Sequence, residues 1–167
     1  TGSAGEIGHM TIDENGPLCT CGNRGCLEAM AGGKAIMAKA HEAIKLNKRT
    51  ELSDHPDPDN ITVMDVAKAA ARGDLVAQEI LAEAGNQLGI ALTSLVNLFN
   101  PNIVIVGGGV AQTGDLFLEP IRKAVLKRSL PAAVQAVRIT TALLGKRSTS
   151  MGAVVQALSI ALHKIAA

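Results

Sequence analysis

Aromatic side chains are almost missing from this chain, which has no Trp, no Tyr, and only Phe99 and Phe117. The core must therefore be aliphatic, built from Leu, Ile, Val and Ala, and recognition of bases or sugar rings by aromatic stacking is not available here. Excess charge is missing too. Sixteen Lys and Arg are scattered among fifteen acids for a net charge of +1. A nucleic-acid surface needs clustered cations, so no nucleic-acid contact is expected through this segment. No uninterrupted apolar run is long enough to span a membrane, and no signal peptide precedes the first motif. With unpaired thiols, these absences point to a cytoplasmic protein that makes no membrane contact. There is no internal repeat, which excludes a solenoid. What remains is a chain of 167 residues, 47% hydrophobic and 19% charged, sized for one soluble domain with a real core.

The densest chemistry lies in the first thirty residues. Gly5-Glu6-Ile7-Gly8-His9 is followed by Cys19-Thr20-Cys21-Gly22-Asn23-Arg24-Gly25-Cys26-Leu27-Glu28, which holds all three cysteines of the chain. One imidazole and three thiols in so short a span match the ligand set of a closed tetrahedral zinc site formed by His9, Cys19, Cys21 and Cys26. A Cys-x-Cys spacing is too short for an unstrained local disulfide but suits two thiolates on one ion, and Gly16, Pro17, Gly22 and Gly25 supply tight turns. The bland alternative is that the cysteines are small buried side chains or a redox pair, since three thiols cannot all pair within one chain. Four protein ligands leave no open position, so zinc here is expected to be structural, folding a loop with little apolar content of its own. Glu6 and Glu28 bracket the cluster and read, on residues alone, as functional carboxylates or as ordinary surface ones.

These motifs resemble the signature of the ROK family, whose members are bacterial sugar kinases, including glucokinases and N-acetylmannosamine kinases, and sugar-responsive transcriptional repressors. The resemblance covers essentially the whole chain. It implies that Glu6, His9 and Glu28 contact sugar hydroxyls while His9, Cys19, Cys21 and Cys26 bind zinc. His9 serves both purposes if one ring nitrogen ligates the metal and the other donates to a hydroxyl. The implied fold is α/β, the carboxyl-terminal lobe of an actin-like, RNase H-like sugar kinase, with a zinc-stabilised loop.

Further along, the pattern alternates helix and strand. Gly5 to Asp13 reads as a short strand entering the zinc loop, and Leu27 to Leu46 as an Ala-rich helix interrupted at Gly32-Gly33. Asn47 to Asn60, with Asp54, Pro56, Asp57, Pro58 and Asp59, reads as a polar connecting loop. Thr62 and Asp65 form a capping pair for a helix through Ala71, and Gly73-Asp74 restarts the chain. Leu75 to Phe99 predicts a long core helix with Ile80, Leu81, Ala84, Leu88, Ala91, Leu92, Leu95 and Val96 on one face, stopped by Asn100-Pro101. Ile103 to Val106 predicts a buried strand of a parallel sheet. Leu116 to Arg128 predicts a helix, Val137 to Ala142 a strand, and Ser150 to Lys164 a last helix that packs through Val154, Val155, Leu158, Ala161 and Leu162. His41, His55 and His163 have no motif around them and read as solvated or capping residues.

Gly107-Gly108-Gly109 follows the apolar strand. Glycines there either let a ligand approach the backbone, beside the amino end of a helix starting near Asp115, or simply make a sharp turn. The ROK resemblance implies that Gly107, Gly108 and Gly109 lie against the adenosine of ATP. Gly145-Lys146-Arg147-Ser148 fails as a phosphate loop, because Thr140 stands where the pattern needs its first glycine.

Phosphoryl transfer also needs a base, a phosphate cradle and usually an acid for magnesium. ROK kinases are expected to take these from an amino-terminal lobe carrying D-x-G-x-T and an Asn-Asp pair, neither of which occurs here. The chain is therefore expected to be a single carboxyl-terminal lobe, residues 1–167, with a sugar and zinc loop at 1–30, alternating elements at 62–167 and a nucleotide loop at 107–110. Alone, it is expected to transfer no phosphate. The parent is expected to be a sugar kinase using ATP and magnesium on glucose, a related hexose or an N-acetylhexosamine, or else a sugar-sensing repressor. A purely structural or oligomerising role also stays open. The open sheet edge invites a second copy, so a homo-oligomer is expected.

Overall fold

The computed structural model describes residues 2–166, without the side chains of Lys146, Ile165 and Ala166. Among these described residues, seven α-helices and two strands follow one another, with short 3₁₀ turns between them. They are α1 (Leu27–Ala31), α2 (Gly33–Lys45), α3 (Val63–Ala71), α4 (Leu75–Phe99), β1 (Ile103–Val106), α5 (Asp115–Arg128), α6 (Pro131–Ala136), β2 (Arg138–Thr141) and α7 (Ser148–Ala166). The domain is organised around α4, which packs most extensively on α5 and also contacts α1, α2 and α3.

Local chemistry explains most boundaries. The break between α1 and α2 falls at Gly32, where an added Cβ would lie 2.5 Å from the Glu28 carbonyl oxygen. At α3, the Thr62 hydroxyl accepts from the Asp65 N–H while the Asp65 carboxylate accepts from the Thr62 N–H, the reciprocal cap that the spacing predicts. Asp74 caps α4 by accepting from the Ala77 N–H at 2.9 Å. It also accepts from the Thr50 hydroxyl at 2.7 Å and from the Glu51 N–H, tying the preceding loop to α4. Asn100, at φ 45°, closes α4, and Pro101 stops its continuation.

On α4 the buried stripe includes Ile80, Leu81, Ala84, Ala91, Leu92 and Val96, as periodicity predicts, together with Gly85, Gly89 and Thr93. The glycines set the approach of α5. A Cβ on Gly85 would lie 2.6 Å from the Phe117 carbonyl oxygen, and one on Gly89 2.5 Å from the Ala124 Cβ. Phe117, Ile121 and Val125 of α5 then enter a core that is otherwise aliphatic.

Four readings need correction. Gly5 to Asp13 is not a strand. Ile7–His9 form a single 3₁₀ turn, and Thr11 makes only an isolated antiparallel bridge to Cys26, because the turns around the cysteine cluster take up this backbone. The Asn47–Asn60 connector holds two 3₁₀ turns and buries Leu52 beneath it. β1 pairs in parallel with β2, Ile103 with Arg138 through Val106 with Thr141, but it is not buried. In this two-stranded sheet only one face of β1 meets the core, leaving Ile105 60% exposed. Finally, α7 does not pack through its apolar residues: Val154, Val155, Leu158 and Leu162 are all exposed.

Candidate metal and sugar site

Two antiparallel bridges, Thr11 with Cys26 and Leu18 with Arg24, fold residues 10–27 into a small clasp. The Ile12 N–H donates to the Gly25 carbonyl and the Leu27 N–H to the Met10 carbonyl, each at 2.9 Å. A tighter turn closes within it, the Cys19 N–H donating to Asn23 at 2.7 Å and the Gly22 N–H to Cys19 at 3.0 Å. Gly25 is obligatory here, since it sits at φ +62° and a Cβ would overlap the Asp13 carbonyl.

The clasp gathers His9, Cys19, Cys21 and Cys26, whose candidate ligand atoms all lie within 4.8 Å of one another. The Cys19 Sγ is 3.7 Å from the His9 Nδ1, and the Cys21 and Cys26 Sγ atoms are 3.6 Å apart. Zinc–sulfur bonds of about 2.3 Å and zinc–nitrogen bonds of about 2.0 Å, set tetrahedrally, place neighbouring donors roughly 3.5–3.8 Å apart. The cluster fits such an ion and could hold one.

Protonation across the cluster's own side chains is uneven. The Cys21 backbone N–H, reinforced by the neighbouring side chains against the effect of burial, brings the Cys19 thiol down to about 6. Burial, reinforced by Cys21 and Cys19, pushes the Cys26 thiol up to about 12. His9 is raised, chiefly through its hydrogen bond to Cys19, with the charges of Glu28 and Glu6 adding to the effect. Three thiolates this close repel unless a cation sits among them, and a coordinating ion deprotonates its thiols outright.

The other face of His9 points to Glu28. Its Nε2 lies 3.9 Å from the Glu28 Oε2. Glu28 sits in the first turn of α1, where the helix dipole favours negative charge, and the Gly8 backbone lies in ordinary contact distance of its side chain. Glu28 borders a cavity of about 510 Å³ with Cys19, Thr20, Gly33 and Met37. Glu6 is exposed at the start of the 3₁₀ turn and does not line that cavity.

The glycine run lies beyond the carboxyl end of β1. Gly107 and Gly108 border a cleft of about 400 Å³, together with Gln112, Gly114, Thr141 and Gly145. Gly109 does not line it. It adopts helical angles, φ −63° and ψ −40°, and leads into the 3₁₀ turn Val110–Thr113 that precedes α5. Sequence reasoning missed Gly114 and Gly145 as cleft residues. Both have positive φ and follow, respectively, the turn after β1 and the strand β2 that pairs with it, so pairing of the two strands is the signal that joins them.

No helix among the described residues is long and apolar enough to cross a membrane. The ROK family profile matches residues 1–160. A putative xylose repressor of Caldicellulosiruptor sp. is 35% identical over 95% of this chain and 40% of its own length. A glucokinase of Halalkalibacterium halodurans is 35% identical over 90% of the chain and 46% of its own length. Among solved structures, a ROK family transcriptional regulator homologous to the E. coli Mlc protein superposes with a TM-score of 0.77 at 33% identity, over 83% of this chain and 34% of its own. A ROK family glucokinase from Streptomyces griseus, in complex with glucose and AMPPNP, gives 0.76 at 33% identity, over 86% and 48%. The chain thus spans less than half the length of these relatives, in which kinases and repressors stand side by side. From residue 1 to residue 160, this chain belongs to the ROK family.

Proposed function

We propose that this chain is the carboxyl-terminal, sugar-recognising part of a ROK sugar kinase that phosphorylates glucose or a related hexose or N-acetylhexosamine with ATP and magnesium. The observation that carries this reading is the two-sided placement of His9, with Nδ1 toward Cys19 and Nε2 toward Glu28. A metal on Nδ1 fixes the remaining ring proton on Nε2, where it is available to a hydroxyl. Zinc held by His9, Cys19, Cys21 and Cys26 supplies rigidity and no reaction step, because four protein donors fill its coordination. Glu28 and Glu6 accept hydrogen bonds from neighbouring hydroxyls. Gly107 and Gly108, with Gly109 behind them, offer bare backbone to the adenosine of ATP.

A second reading, the sensing half of a sugar-responsive repressor, is favoured by the similarity to the xylose repressor and to the regulator homologous to Mlc. It uses the same sugar site with no phosphoryl transfer. In the protein that carries this chain, Glu28→Gln is expected to weaken glucose binding by about 10–100-fold in calorimetry, as when a hydrogen bond to a charged acceptor is lost. Unchanged affinity would refute the sugar site. ADP release on addition of glucose and ATP, requiring about 10–100-fold more glucose in Glu28→Gln, separates the kinase from the repressor.

A further inference from the structure

We propose that Cys21 is an oxidation site for hydrogen peroxide or a small hydroperoxide, with Cys26 as its disulfide partner, so that oxidation takes the metal clasp apart. The inference rests on the reading that His9, Cys19, Cys21 and Cys26 hold zinc.

The three sulfurs are not equivalent. Cys19 is 5% and Cys26 0% exposed, whereas Cys21 stands open to solvent at the tip of the Cys19–Asn23 turn. A peroxide therefore meets Cys21 first. Its Sγ is 3.6 Å from that of Cys26, and a disulfide requires closing that gap to about 2.05 Å. The movement can come from Cys21, because the adjoining Gly22 has φ +93° and open space where a Cβ would be. Cys26 is held in place as the residue leading into α1, beside the glycine locked against Asp13. Cys19 is the poorer partner, separated from Cys21 by Thr20 alone, a spacing too short for an unstrained disulfide, and seated beside the His9 ring.

The step balances in two stages. The Cys21 thiolate attacks the peroxide, the O–O bond breaks, and a sulfenic acid and hydroxide form. Cys26, a thiolate because it ligates the metal, then attacks the Cys21 sulfur, the S–S bond forms, and a second hydroxide leaves. Two electrons pass from the sulfurs to the peroxide, and two protons from solvent convert both hydroxides to water. Only Cys19 and His9 remain as donors, half of a tetrahedral set. His9 then loses its anchor beside Glu28, and sugar affinity should fall.

The test titrates zinc-loaded protein with hydrogen peroxide while a chromophoric chelator reads released zinc and peptide mapping under non-reducing conditions reads the thiols. The expected result is a Cys21–Cys26 disulfide within one chain and zinc release in equal amount. Glucose affinity should drop about tenfold or more, restored by a thiol reductant plus zinc. Cys21→His, which keeps four donors, should hold its zinc under the same peroxide. A disulfide through Cys19, a link between two chains, over-oxidation of a single cysteine, or no modification would overturn the proposal. If reconstituted protein holds no zinc, the metal reading fails by itself, and the peptide map of the same sample still judges the pairing of Cys21 with Cys26. Should Cys21→His fail to fold, the wild-type map decides alone.

Discussion

Asp74 shows how much one side chain can organise. It is 8% exposed and accepts from Ala77, Thr50 and Glu51. Burial alone would raise its carboxyl, but these donors and the Val76 N–H outweigh that and hold it below its ordinary value. Asp65 is likewise lowered, by Thr62 first. A carboxylate whose folded pKa is depressed stabilises the fold at pH values above its unfolded pKa of about 3.9, and that contribution disappears as pH falls through the lower folded value. Asp74→Asn is thus expected to cost about 2 kcal/mol at neutral pH and to flatten the loss of stability below about pH 4. Urea melts at pH 7 and at pH 3 measure both; equal costs at the two pH values would contradict the assignment. The restart at Gly73-Asp74 was legible, because it precedes a periodic run, but the cap that Asp74 makes was not legible in it. Nor was the tie to Thr50 and Glu51, because nothing local in Asn47–Asn60 indicates which distant carboxylate it meets. The clustering of His9, Cys19, Cys21 and Cys26 was legible for the opposite reason: all four fall within eighteen residues, so spacing alone brings them together.

At the scale of elements, α4 and α5 decide how the core closes. Periodicity identified the apolar stripe of α4, but a pattern of large apolar residues cannot register Gly85 and Gly89, whose role is to be absent side chains. At Gly89 an added Cβ would also lie 2.9 Å from the Ile121 carbonyl oxygen, and backbone cannot move aside cheaply. Gly89→Ala should therefore destabilise by about 1–3 kcal/mol, with overpacking outweighing the roughly 1 kcal/mol of better helix propensity. In α7, Gly152 has open space around it. Gly152→Ala should instead raise helix content in circular dichroism, and a loss at both sites would refute the distinction. The same missing information explains β1. Its apolar run predicted a strand correctly, whereas burial depends on neighbours that a local window does not contain.

The whole molecule exposes more surface than its mass requires. Its accessible area is 10559 Å² for 17.2 kDa, against roughly 7,800 Å² for a compact monomer of that mass. Much of the excess is apolar, on α7 through Val154, Val155, Leu158 and Leu162 and on β1 through Ile103 and Ile105. The packing that periodicity assigned to α7 is thus not made within these residues. Surface of this kind drives association, so sedimentation velocity of the 167-residue chain should show mass rising with concentration, reduced by Leu158→Glu combined with Ile105→Lys. A monomer at every concentration would show that water tolerates this face.

If one imidazole joins metal and sugar, calorimetry of glucose binding before and after chelation, in the protein that carries this chain, will show it. The expected result is one zinc per chain and an affinity about 10–100-fold weaker once the metal is stripped, recovered on adding zinc back. An affinity unchanged by removal of the metal would contradict it.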